Sequence, residues 1–273
     1  MKTRILIVIL LLNSVCWGQT DINRLSELQK IYFIAETNSL TTNFVNPAAL
    51  SINKNDDGFL FAYDFLETKN QGTSLVSLSM GNLGFIYQDV YSIDNMRLTS
   101  YALNISVGGD LFSFGTSNKI INVAYIDGEK SHFTIDAGLI IQPSSIFSIG
   151  LLANNINNVE IDSFQYQQIY SVGARITIVY NLLDVFAQTD FKDSKELDAN
   201  VVTSAGFSLK PLPFLELRTW LMGTKDFIDE GILSAVFNLD NGFIISASTH
   251  FNDQQERTRY NAMLAIPLQT ISF

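Results

Sequence analysis

The residues of this chain that could carry out chemistry are few, and none stands in a recognisable catalytic motif. His132 and His250 are the only two histidines, and histidine is the usual base near neutral pH. Nucleophilic catalysis needs a hydroxyl or thiol within hydrogen-bond reach of such a base. Neither histidine is accompanied by the Gly-x-Ser-x-Gly turn of serine hydrolases. The sequence therefore predicts a protein that is not an enzyme.

The sequence also lacks features that would bind metal ions, phosphate cofactors or nucleic acid. The only cysteine is Cys16, close to the N-terminus, which excludes disulfides and thiolate metal sites from the rest of the chain. The sequence contains no glycine-rich phosphate loop and no metal-spaced cluster of His, Cys and acidic residues. The formal net charge of −10 is a poor electrostatic match for nucleic acid. We therefore expect no cofactor, no metal site and no nucleic-acid partner.

The elements that must position these residues form a series of short strands from Gly58 onward. Apolar and polar side chains alternate over residues 97–107, 131–141 and 259–268, which is the period of a strand with two different faces. The pattern also predicts strands at 111–115 and 119–126, and turns at 142–145 and 210–213. Tight connections alternate with longer polar ones, as in outer-membrane barrels.

Composition favours a membrane location for these strands. Hydrophobic residues make up 47% of the chain and charged residues 16%, against about 25% charged in soluble domains. We predict an all-β, transmembrane antiparallel β-barrel of about 12–14 strands. A soluble β-sandwich or propeller, which also shows alternation, is the alternative.

The N-terminus predicts export to the outer membrane of a Gram-negative-type bacterium. Residues 1–18 have the three parts of a signal peptide: two basic residues, an apolar core and small residues before Gln19. Acylation of Cys16, as in a lipoprotein, is the alternative, although residues 13–15 suit it poorly. The predicted organisation is a signal peptide at 1–18, an N-terminal plug or hatch segment at 19–57 and the barrel at 58–273.

A compact element precedes the first strand. Pro47 cannot donate a hydrogen bond to a sheet, and it favours the first position of a helical turn over the residues that follow. The element is either a simple turn or a plug in the barrel mouth. Its sequence, Asn46-Pro47-Ala48-Ala49-Leu50, resembles the Asn-Pro-Ala motif of fatty-acid-transporter-like outer-membrane barrels. That group includes the PorV/PorQ-type barrels associated with the type IX secretion system.

The resemblance implies a barrel of about 14 strands with N-terminal residues packed in the lumen. It also implies two possible functions. In the first, the barrel is a non-enzymatic part of a protein secretion or surface-attachment system, with other secretion-system or surface proteins as partners in addition to outer-membrane lipid. In the second, it is a transporter or channel for small hydrophobic solutes. The chain is short for a transporter of this kind, so the first function is preferred from the sequence.

If the apolar strand faces meet lipid, the polar faces line the lumen. The charged residues and the histidine placed there by alternation are Asp136, Arg175, Asp184, Asp190, Glu216, Arg218, His250 and Arg259. They could pair with one another and simply fill a narrow barrel. They could instead guide a solute or hold the N-terminal segment.

Overall fold

The computed structural model describes residues 32–37, 40–52, 57–66, 72–91, 97–125, 128–159, 168–192, 201–223, 228–240, 242–254 and 257–268. The predicted signal peptide lies outside these residues. The strands, in chain order, are β1 (Gly58–Leu66), β2 (Gly72–Met80), β3 (Leu83–Tyr91), β4 (Arg97–Gly108), β5 (Phe112–Tyr125), β6 (Gly128–Ser144), β7 (Phe147–Asn154), β8 (Ile169–Val179), β9 (Leu183–Lys192), β10 (Val201–Leu212), β11 (Leu215–Gly223), β12 (Ile228–Asn238), β13 (Ile244–Asn252) and β14 (Arg257–Pro267).

These 14 strands close into one antiparallel barrel, in which every strand pairs with its chain neighbours and β1 pairs with β14. The predicted fold class and strand number are thus confirmed. Large apolar side chains point outward and are exposed on all sides, among them Phe61, Phe85, Tyr101, Val172, Phe207 and Leu233. Such an outer surface is the one that a bilayer covers in transmembrane barrels. Among the described residues, no helix is long and apolar enough to cross a membrane.

The two ends of the barrel differ in their connections. One end holds the start of β1, the end of β14 and short turns such as 81–82 and 145–146; we call it the short-turn end. Most connections at the other end are longer, such as 155–168 and 193–200, and we call it the long-loop end. In outer-membrane barrels, short turns face the periplasm and long loops face outward.

Some strand boundaries differ from those predicted. The segments expected as two strands at 111–115 and 119–126 form the single strand β5. Pro143 and Pro211, expected in turns, belong instead to the ends of β6 and β10. The strand pairing shifts register between Ile141 and Ser144 and between Leu209 and Leu212. Proline has no N–H for a sheet, so it is accommodated at such irregularities.

Residues 32–37 and 40–52, which we call the N-terminal segment, lie inside the barrel. The segment contains a 3₁₀ turn (Thr42–Phe44) and a one-turn helix, α1 (Ala49–Ile52), and almost all of its side chains are buried. Several of its apolar residues share one cluster with inward-facing wall residues; the cluster includes Tyr32, Phe44, Val45, Leu60, Leu75 and Met263. The helical turn predicted after Pro47 corresponds to α1. The lumen is therefore occupied by the chain's own N-terminal residues.

Candidate functional site in the barrel lumen

A row of inward-facing glycines shapes the wall against which the N-terminal segment lies. The row, which we call the glycine groove, crosses four adjacent strands and consists of Gly115, Gly138, Gly150 and Gly173. A methyl group at Gly138 would collide with the Asn46 side chain, and one at Gly150 would collide with the carbonyl of Ile34. Glycine permits this close approach because it has no Cβ. The shape of the wall therefore matches the backbone of the segment.

Asn46 holds the segment in its bent conformation. Its side-chain Nδ2 donates to the Ile34 carbonyl at 2.9 Å, while its Oδ1 accepts from the backbone N–H of Ala48 at 3.1 Å. The same Nδ2 lies 3.5 Å from the carbonyl of Leu139 and 3.4 Å from that of Leu151. One amide thus joins two parts of the segment and faces three carbonyl groups, which only a donor can satisfy.

The other residues of the motif also lie against the wall. All four are buried: Pro47, Ala48, Ala49 and Leu50. Pro47 packs over Gly115, and a methyl group at that glycine would lie 2.5 Å from the Pro47 carbonyl carbon. The Ser113 hydroxyl donates to the Ala48 carbonyl at 2.5 Å. The motif is therefore in direct contact with the glycine groove and the strands that form it.

An Asn46→Asp substitution tests this arrangement. Aspartate keeps the acceptor for Ala48 but places a carboxylate oxygen against the Ile34 carbonyl, where a donor is needed. We expect the substitution to lower the free energy of unfolding by about 1–3 kcal/mol, the cost of an unsatisfied buried polar group. Thermal unfolding of the purified protein in detergent measures this loss.

Asn43→Asp is the matched control. Asn43 Nδ2 donates to the Ser77 hydroxyl at 3.2 Å and also to the Ser79 hydroxyl. Hydroxyl groups can rotate and become donors, so an aspartate at position 43 keeps its partners. If both substitutions destabilise the protein equally, the donor role of Asn46 is wrong.

The charged residues predicted for the lumen separate into several groups, of which the largest surrounds Arg218. Arg218 Nη1 donates to Glu36 Oε2 at 2.9 Å, and its Nε donates to Glu216 Oε1 at 2.6 Å. We call these three residues the central ion cluster. Lys210 Nζ lies 4.0 Å from both Glu216 and Asp184, which extends the charges toward the short-turn end. Glu36 belongs to the N-terminal segment, so this cluster joins the segment to the wall.

Burial shifts the pKa values of two side chains of the segment, Tyr32 and Glu36. It raises the pKa of Tyr32 to about 12, so the phenol keeps its proton and can donate to the Met263 sulfur at 3.4 Å. The guanidinium carbon of Arg218 lies 4.7 Å from the centre of the Tyr32 ring, a favourable cation–π contact. Burial also raises the pKa of Glu36, while the nearby Arg218 acts in the opposite direction. The ion pair with Arg218 is therefore what stabilises a charged Glu36 in the lumen.

A second group surrounds His250, which is completely buried. Its Nδ1 lies 2.6 Å from Glu230 Oε1, and its Nε2 lies 2.7 Å from Asn261 Nδ2. Both ring nitrogens thus have partners other than a hydroxyl group. On the adjoining strands, Arg259 Nη1 donates to Asp64 Oδ2 at 2.9 Å. The geometry is that of a hydrogen-bonded polar layer between strands.

Three further predicted residues lie elsewhere on the wall. Asp136 pairs with Lys119 and accepts from the backbone N–H of Asn155 at 2.9 Å. Arg175 Nη2 donates to the Ser145 carbonyl at 3.2 Å, and Asp190 accepts from Gln188 Nε2 at 2.9 Å. The structure thus distributes the eight predicted residues among local partners and does not bring them into one site.

Several solved structures of outer-membrane proteins and hydrocarbon channels have a fold similar to this barrel. No family model and no curated protein matches the chain. The CymD monoaromatic hydrocarbon channel matches with a TM-score of 0.59 at 11% identity, over 92% of this chain and 98% of that chain. The Pseudomonas putida toluene transporter TodX gives 0.58 at 11%, over 92% and 98%. Acinetobacter baumannii Omp33, an outer-membrane protein, gives 0.52 at 7%, over 79% and 100%. The chain has the fold of an outer-membrane β-barrel.

In this outer-membrane barrel fold, a cavity of about 80 Å³ lies between the N-terminal segment and the long-loop end. Its floor is formed by segment residues, namely Tyr32, Ile34 and Val45. Apolar wall residues surround it, among them Leu152, Val202, Trp220 and Met222, together with polar residues such as Gln188, Asp190 and Lys192. Because the floor belongs to the segment, any movement of the segment changes the size of the cavity.

Several residues of this site were missed by sequence reasoning. Phe33 stacks between Phe186, at a centroid distance of 4.3 Å, and Trp220. The Ser148 hydroxyl donates to the Ala35 carbonyl at 2.7 Å. Nothing in the local sequence of these residues indicates such contacts. The glycines did leave a signal in the sequence. They recur at inward-facing positions of consecutive strands, whereas the other inward-facing residues carry polar or apolar side chains.

Proposed function

We propose that this chain is an outer-membrane channel for small hydrophobic solutes, without enzymatic activity, and that the N-terminal segment is its hatch. The observation that carries the proposal is the placement of the segment: it fills the lumen and forms the floor of a largely apolar cavity that lies toward the long-loop end. The fold similarity over most of the chain to a hydrocarbon channel and a toluene transporter supports it. Outer-membrane lipid is then the surrounding partner of the exposed apolar face.

The size of the cavity argues for a hatch rather than an open pore. At about 80 Å³, it is smaller than the cavity of roughly 150 Å³ that accommodates benzene in another protein. A monoaromatic solute therefore requires displacement of the floor residues. Ile34 and Val45 can move away only if the segment shifts relative to the glycine groove.

The secretion or surface-attachment function, preferred from the sequence, is the second candidate. One observation favours it: a lumen filled by tightly hydrogen-bonded residues also suits a barrel that conducts nothing and acts through its loops. The similar structures with the higher TM-scores are channels and transporters, so the channel function is now preferred. PorV/PorQ membership remains a hypothesis.

A pair of tryptophan substitutions on one strand tests the channel. Leu152 lines the cavity, whereas its neighbour Leu151 points outward and is exposed. We expect Leu152→Trp to fill the cavity and reduce uptake of a labelled monoaromatic hydrocarbon severalfold in cells that express the barrel. Leu151→Trp, which adds the same side chain on the lipid side, leaves uptake unchanged.

Cells without the protein provide the baseline. If these cells accumulate the hydrocarbon as fast as cells that express the wild-type barrel, the channel function is wrong. Affinity purification of the barrel from outer membranes then becomes decisive. Recovery of stable protein partners, together with unchanged hydrocarbon uptake, would support the secretion or surface-attachment function instead.

A further inference from the structure

A continuous row of polar residues crosses the inner wall on the side away from the glycine groove. Each member is the Cα partner of the next across adjacent strands, from β11 to β2: Arg218, Ser234, Ser248, Asn261, Asp64 and Thr73. On the other side of Arg218, the row continues through Ser208 to Asp184. We call this set the polar row.

The polar row runs from one end of the barrel to the other. Asp184 is the second residue of β9, next to a turn at the short-turn end, whereas Thr73 is the second residue of β2 at the long-loop end. A row of paired residues climbs in this way because the strands of a barrel are tilted and staggered. The row therefore connects the two mouths of the lumen along the wall.

Three polar atoms of the row have no hydrogen-bond partner among the described residues. Ser234 and Ser248 are each only 7% exposed. Within the part of the chain that the structure describes, neither hydroxyl has a hydrogen bond, and Asn261 Oδ1 is also without one. Buried polar atoms in native proteins are nearly always hydrogen-bonded to protein or to ordered water. Adjacent unsatisfied groups are the surroundings in which buried water is held.

Apolar neighbours flank the polar row at Ser234, and the segment contacts wall residues outside the row. Val236 and Ile232 lie on either side of Ser234 on the same face of β12, and both are buried. On the opposite wall, the Ser113 and Ser148 hydroxyls donate to carbonyl groups of the segment. On β14 and β2, Tyr32 and Asn43 of the segment donate to Met263 and Ser77, which lie outside the polar row. Arg218, through Glu36, is the place where the polar row meets the segment.

We propose that the polar row is a hydrated path, which holds water and admits small hydrophilic molecules beside the N-terminal segment. This path is separate from the apolar cavity, and it exists while the segment is in place. The barrel then has two routes of different chemistry: an apolar one that requires movement of the segment and a polar one along the wall of β11 to β2.

Cysteine accessibility in the full-length protein tests the path. Cys16→Ser removes the only native thiol, after which Ser234→Cys, Ser248→Cys and Val236→Cys are made separately. Val236 is the matched control because it is buried on the same face of the same strand as Ser234, outside the polar row. A thiol reacts as its thiolate, which requires water, so a small water-soluble methanethiosulfonate should modify positions 234 and 248 at least about tenfold faster than position 236.

Equal rates at the three positions would overturn the proposal. Heat-modifiable gel migration like that of the wild type establishes that each cysteine variant is folded. A second measurement uses the double variant Ser234→Ala and Ser248→Ala. In a hydrated row its melting temperature falls, because bound water loses its partners; in a dry row it rises, because two unsatisfied hydroxyl groups are removed. A melting temperature at or above that of the wild type would contradict the hydrated path.

Discussion

Valine in place of Gly150 is expected to displace the N-terminal segment from the lumen. The new Cβ would overlap the backbone carbonyl of Ile34, and a backbone atom cannot move aside by changing a rotamer. Inserting atoms into a well-packed region costs about 1–3 kcal/mol, so the segment loses much of its binding to the wall. We expect faster proteolysis within the segment and a clear increase in ion conductance across planar bilayers, relative to the wild type.

Gly138→Val should have the same effect with a smaller amplitude. The group that its Cβ meets is the side chain of Asn46, which can rotate at the cost of its hydrogen bonds. Gly231→Val is the matched control, because a Cβ at this strand glycine would lie 3.6 Å from Leu221 Cδ2 and 3.9 Å from the Trp220 carbonyl oxygen, which are ordinary contacts. If Gly150→Val and Gly231→Val give the same conductance and proteolysis, the glycine groove does not hold the segment.

Arg218→Gln is expected to be among the most destabilising single substitutions in the lumen. It leaves both Glu36 and Glu216 buried without the guanidinium that pairs with them. Removing one partner of a buried ion pair typically costs about 3–5 kcal/mol. Denaturant unfolding in detergent measures the loss of stability, and proteolysis of the segment shows whether it leaves the wall.

The companion substitution Glu36→Gln should cost distinctly less. The amide is neutral, so it avoids the burial penalty that raises the pKa of Glu36, and its oxygen still accepts from Arg218. Arg218 also keeps its bond to Glu216. A double-mutant cycle with both substitutions gives the coupling energy of the pair.

Arg97→Gln provides the control for loss of an arginine. Arg97 pairs with Asp89 at 2.6 Å, but its side chain is 54% exposed. Solvent-exposed pairs contribute about 0–1 kcal/mol. The Asp89 side chain is 6% exposed, but water reaches the pair from the Arg97 side, so we expect a smaller loss than at Arg218. A loss at Arg218 no larger than that at Arg97 would show that the central ion cluster does not stabilise the segment.

The strand faces could be predicted because alternation is a local property. A period of two places successive side chains on opposite faces, so residues such as Asp136 and Arg175 could be assigned to the inward face from their neighbours alone. The same reasoning missed the continuity of β5. Thr116 and Asn118 are polar on the outward face, as their partial exposure shows, and they interrupt the apolar pattern that would otherwise identify a single strand.

The glycine groove and the central ion cluster could not be predicted in this way. Gly138 and Gly150 both contact the segment only because the register of β6 and β7 places them near each other, with Gly138 opposite Leu152 and Gly150 opposite Ile140. Glu36 lies in a stretch of sequence where apolar and polar residues follow no periodic pattern. Its partner Arg218 is 182 positions away in the chain. Pairings of this kind depend on strand stagger and on the path of the segment through the lumen.

The sequence by itself determined that this chain forms a barrel with an apolar outer face, because each strand carries its own alternation and needs no distant information. The tertiary structure decided which inward residues meet: the segment against the glycines, Glu36 with Arg218, and the serines of the polar row across β12 and β13. Closure of the barrel sets these contacts, because it links the pairing registers of all strands. The sequence of a single strand does not specify those registers.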